Sequence, residues 1–94
     1  MTIMEALQRT QLFDQAMREC DQLLAAYPDR QPLVSIRRQL EYLLAVVQGG
    51  ADGSRLKEVV IGPMTAREIE PMSATAAEVF YKVAAEARSM QQQG

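Results

Sequence analysis

The chain has 94 residues, ten lysines and arginines against twelve aspartates and glutamates, a net charge of −2, and neither histidine nor tryptophan. A length of this order fills one domain with one core, here taken as residues 1–94, and an acidic balance gives no cationic field for a nucleic-acid backbone. Without histidine there is no commonplace neutral-pH acid-base group and no commonplace metal ligand, so no catalytic residue, metal or cofactor is expected.

Cys20 stands alone, which excludes an intramolecular disulfide and a Cys/His nucleophile pair. The acids are scattered, with no calcium-loop ladder among them. Leu43 to Val47 is the longest apolar run of the central segment, far below the ~20 residues that span a bilayer. Glu5, Gln8, Arg9 and Gln11 interrupt any apolar leader, so a cytoplasmic protein without membrane contact is expected. Ala, Leu, Gln, Glu, Arg and Met dominate, and these favour an all-α fold.

The first helix is expected from about Thr2, at capping-box distance from Glu5, to Ala26. Ala6, Thr10, Phe13, Met17, Cys20, Leu24 and Tyr27 alternate by four and three and predict its packing seam. Within that series Cys20 reads as a small buried hydrophobe. Pro28 ends the helix, and Pro32 suits the first turn of the next, so the short connection implies antiparallel neighbours.

Pro32 to Gln48 is the central helix, with Leu33, Ile36, Leu40, Leu43 and Val47 on one face and Val34, Leu44 and Val46 widening the arc. Arg37 and Glu41 form an i,i+4 pair on its polar side. Tyr42 lies off the seam, with partial packing and a wet hydroxyl weighed against a binding role. Gly49-Gly50-Ala51-Asp52-Gly53-Ser54 is a flexible loop without the lysine and hydroxyl of a phosphate cradle.

Arg55 to Ile61 reads as a short helix in preference to a strand, because no second segment offers a strand partner. Gly62-Pro63 is expected to break it, and Met64 to Ile69 makes at most two turns before Pro71. The result is a bent elbow carrying Arg67, Glu68 and Glu70. Ser73 caps the last helix, with Met72 stapling against Ala77, and Ala76, Phe80, Val83, Ala87 and Met90 form its seam. Residues 91–94 have no apolar anchor and are expected to fray. The whole is a small antiparallel bundle of three long helices, with one or two short helical segments between the second and third.

The order Tyr27-Pro28, Arg38-Gln39-Leu40-Glu41-Tyr42-Leu43, Asp52-Gly53-Ser54-Arg55-Leu56, then Ile61-Gly62-Pro63-Met64-Thr65-Ala66-Arg67-Glu68-Ile69-Glu70 resembles a family of small immunity proteins of the bacterial type VI secretion system. It is most similar to those that neutralise NAD(P)-hydrolysing effector toxins, and the likeness runs from about Tyr27 to Ala87. The resemblance implies a helical antitoxin that binds its cognate effector toxin domain and occludes the active site without doing chemistry. Related effectors include NAD(P) glycohydrolases and ATP-consuming (p)ppApp synthetases, and a shared immunity fold does not choose between them. Glu41, Tyr42, Arg67, Glu68 and Glu70, polar or amphipathic groups on the central helix and elbow without a clear core role, are the candidate toxin-binding residues. The competing reading is a small adaptor whose wide apolar arcs pair as a homodimer when free.

Overall fold

A computed structural model describes residues 2–93, which form four α-helices and no strand: α1 (Ile3–Ala26), α2 (Gln31–Val47), α3 (Ile61–Met64) and α4 (Ala74–Gln93). A 3₁₀ turn, Leu56–Glu58, precedes α3, and a π-helical turn, Thr65–Ile69, continues it. The all-α class and the bundle are as the composition predicts.

The Thr2 hydroxyl accepts from the Glu5 amide at 3.1 Å, so α1 starts at the expected cap. Its seam is rotated from the expected one. Arg9, Phe13, Ala16 and Cys20 are buried, Thr10, Met17 and Leu24 are half-buried, and Tyr27 is 43% exposed. The cause lies on α4: Glu86 accepts from Arg9 Nε at 2.8 Å and Ser89 lies 3.4 Å from its Nη2, so a cation takes a core position that its type alone would not claim. The Thr10 hydroxyl turns back to the Ala6 carbonyl at 2.9 Å instead. Cys20 is fully buried as expected, and its S–H donates to the Leu33 carbonyl at 3.3 Å. Burial and then the Asp21 charge push its thiol up to about 11, with Arg37 opposing.

On α2, Leu33, Ile36, Leu40 and Leu43 have no solvent exposure, and Pro32 sits in the first turn. The helix stops where Gly49 takes a left-handed φ of 82°, a conformation in which a Cβ is strained. Gly50 N then donates to the Ala45 carbonyl at 2.8 Å and Gly49 N to Val46 at 3.2 Å, which closes the helix end.

Between Arg55 and Ile61 neither a helix nor a strand forms beyond the single 3₁₀ turn. Leu56 and Ile61 are both buried yet five residues apart, about 140° around a helix and on opposite faces of a strand. The chain resolves this by extending at Val59 (φ −72°, ψ 122°) and leaving Val60 47% exposed. Gly62-Pro63, expected to break the element, lies instead within the first turn of α3, where a missing N–H costs nothing. Helical structure runs on to Ile69, with a widened turn marked by the Glu70 amide donating to the Thr65 carbonyl at 2.9 Å. Ile61, Thr65 and Ile69 are all fully buried at spacings of four. Such a series drifts about 40° per step around an α-helix, and the wider π turn returns Ile69 to the core face. The Thr65 hydroxyl is satisfied by the Ile61 carbonyl at 2.7 Å.

Ser73 Oγ accepts from the Ala76 amide at 3.1 Å, the expected cap of α4. Its predicted seam, Ala76, Phe80, Val83, Ala87 and Met90, is buried throughout. α4 is helical through Gln93, with Gln91 and Gln92 exposed, and Gly94 lies outside the described residues.

α1 packs on α2 and α4, and α3 packs on the same two, so the four elements close a ring. Arg9 beside Glu86 sets α4 antiparallel to α1, while Ser35 beside Met64 and Gln39 beside Val60 set α3 antiparallel to α2. Replacing the fully buried Leu40 with alanine is expected to cost about 2–5 kcal/mol, read as a lowered urea midpoint with an unchanged slope.

Candidate partner-binding surface

Tyr42 is the pivot of the outer face of α2. Its ring packs partly against the core, as the sequence suggested, and its hydroxyl, at the exposed surface, donates to the Asp52 carbonyl at 2.8 Å and accepts from the Arg55 amide at 3.0 Å. It fastens the glycine-rich loop to the helix. Asp52 locks the same loop from inside, its carboxylate accepting from the Ser54 hydroxyl at 2.6 Å and the Ser54 amide at 3.0 Å. Those bonds, the hydroxyl's first, hold the Asp52 carboxyl below its ordinary range. The Arg55 guanidinium lies 5.9 Å from the Tyr42 ring centroid and 3.5 Å from Glu58.

A groove of about 390 Å³ follows, walled by Arg38, Gln39 and Tyr42 on α2 and by Arg55, Glu58 and Val60 on the linker. Gln39 is tied at both ends of its amide, accepting from the Val60 amide at 2.7 Å and donating to Ser35 at 3.2 Å. Arg38 is exposed and forms no ion pair among the described residues. The groove thus combines an apolar rim, an aromatic wall and a net positive charge.

The other candidates lie elsewhere. Glu41 binds Arg37 Nη1 at 2.9 Å, and the same arginine reaches Asp21 through Nε at 2.6 Å, so Glu41 belongs to the α1–α2 flank. Glu68 is half-buried in a shallow depression of about 230 Å³ shared with Tyr27, Arg30, Pro71 and Met72. Arg30 stacks over Tyr27 at 5.3 Å in that depression. Arg67 is exposed without an ion pair among the described residues. Glu70 accepts from the Tyr81 hydroxyl at 2.8 Å, and this bond raises the Tyr81 phenol above its ordinary value. The five residues therefore form no single cluster: Tyr42 stands between α2 and the linker, Glu68 beside the α1–α2 connection at Tyr27 and Arg30, Glu41 on the α1–α2 flank and Glu70 against Tyr81 of α4, while Arg67 is exposed. Arg38 and Val60 were missed as groove residues, because their meeting depends on a kink after the 3₁₀ turn that no periodicity encodes.

Among the described residues no group of three or more His, Cys, Asp or Glu side chains is placed to hold a metal ion, and no helix is long and apolar enough to cross a membrane. The sequence model of the Tsi6 family matches residues 8–89, and the chain belongs to this family of type VI secretion immunity proteins. Among curated proteins and solved structures nothing matches.

Removing the Tyr42 hydroxyl with Tyr42→Phe is expected to cost about 1 kcal/mol and to speed hydrogen exchange at the Arg55 amide, measured by NMR, while the amides of α4 keep their protection. Tyr81 gains stability from its bond to Glu70 below pH ~10, lost as pH rises through its raised value. In Glu70→Gln the phenol, followed by ultraviolet titration, is expected to ionise at lower pH than in the parent protein.

Proposed function

We propose that this chain is the immunity partner of a type VI effector toxin acting on nucleotides, either an NAD(P) glycohydrolase or an ATP-consuming (p)ppApp synthetase. It neutralises the toxin by binding over the active site, in the cytoplasm where the nucleotides are, and performs no catalysis itself. Family membership over residues 8–89 is the observation that carries this reading.

The physical chemistry supports it. An enzyme that binds polyphosphate substrates presents a cationic cleft, and an inhibitor with a pI near 5.0 is steered towards one. The carboxylates of Glu41 and Glu70 are exposed, though engaged by Arg37 and Tyr81, and Glu68 is half-exposed, so they can face such a cleft, with Arg67 exposed beside them. Together with Tyr42 they are the proposed toxin contacts.

Co-expression with the toxin domain encoded by the adjacent gene tests the reading. Growth rescue together with a co-purifying complex is expected, and neither, from a folded protein, overturns it. The isolated toxin assayed on NAD and on ATP, with and without the chain, then identifies the blocked chemistry. Glu68→Lys combined with Glu70→Lys is expected to weaken the complex about tenfold or more, as loss of steering and of rim ion pairs requires. Unchanged affinity would remove the elbow from the contact surface.

A further inference from the structure

Resting on the immunity reading above, we propose that the groove between α2 and the linker is the seat for an acidic, apolar-tipped segment of the effector. The chemistry follows from what lines it. Val60 is 47% exposed, a large aliphatic side chain held out of the core by the bend that buries Leu56 and Ile61 on either side of it. Beside it stand two guanidinium groups of unequal availability. Arg55 is engaged by Glu58 at 3.5 Å and by the Tyr42 ring, whereas Arg38 is exposed and has no ion-pair partner among the described residues. A carboxylate on the partner pairs with Arg38, and a neighbouring apolar side chain covers Val60 and the free part of the Tyr42 ring.

Charge selects the occupant. The groove is net positive on a chain whose overall charge is −2, so an acidic segment is attracted locally to a protein whose net charge repels it. Its hydrogen-bonding groups are largely committed: Gln39 to Val60 and Ser35, and the Tyr42 hydroxyl to Asp52 and Arg55. What is left to offer a partner is therefore charge at Arg38 and apolar area at Val60, and not a row of open donors.

The test compares the affinity of the full chain and its variants for the cognate toxin domain by titration calorimetry. Arg38→Glu and Val60→Asp, both at exposed positions, are each expected to weaken binding about 30-fold or more, while the charge-matched control Arg18→Glu on α1 stays within about threefold. Arg38→Gln is expected to flatten the dependence of affinity on sodium chloride. If a groove variant fails to keep the parental urea midpoint, the milder Val60→Ser and Arg38→Gln carry the same comparison. Parental affinity in the groove variants, with the parent protein binding normally, overturns the groove and leaves the immunity reading standing. A self-associating parent whose dimer, but not its toxin binding, is lost in Val60→Asp also overturns it, by assigning the groove to a second copy. A parent protein that binds no toxin overturns both.

Discussion

The fold depends on covering α2. A seventeen-residue helix with four fully buried large aliphatic residues on one stripe and half-buried valines and Leu44 beside it cannot be satisfied by one neighbour. α1 takes one side and α3 the other, and α4, with Phe80 and Val83 fully buried, closes the ring opposite. α3 is far too short to hold itself together as an isolated helix. It exists because Ile61, Thr65 and Ile69 are needed as a lid on the space between α2 and α4. The π turn is the local cost of presenting three residues at spacings of four to a straight core.

The same demand explains where charge enters the interior. Arg9 is only 6% exposed, yet Glu86 and Ser89 meet it across the α1–α4 contact. Glu86 is 40% exposed, so the pair is only half-buried and adds little net stability over an apolar pair. It acts on register: α1 and α4 slide against each other only by separating the pair.

How legible the molecule is from its sequence varies with the type of contact. The seams of α2 and α4 are readable because each is made of apolar residues at spacings of three and four whose burial is a property of their own type. α1 is misread by part of a turn because Arg9 is core only by virtue of residues almost eighty positions away, and Tyr27 is apolar enough to join a series that it then leaves. Gly62-Pro63 reads as a stop because proline usually is one, and its tolerance in a first turn becomes visible only when the helix start at Ile61 is known. The candidate surface is less legible still. Tyr42 is recognisable as an unusual residue on the outer face, but not as a clamp on a loop, and Arg38 and Val60 become neighbours only through the kink that precedes α3.

The Tyr42 clamp also settles when disorder is lost. Glycine-rich chain such as Gly49–Ser54 surrenders more backbone freedom than any other composition when it is fixed. Because one phenol holds both the Asp52 carbonyl and the Arg55 amide, that loss is incurred during folding. A partner that reached this side of α2 would therefore meet a preorganised wall and be spared the entropy of ordering a loop.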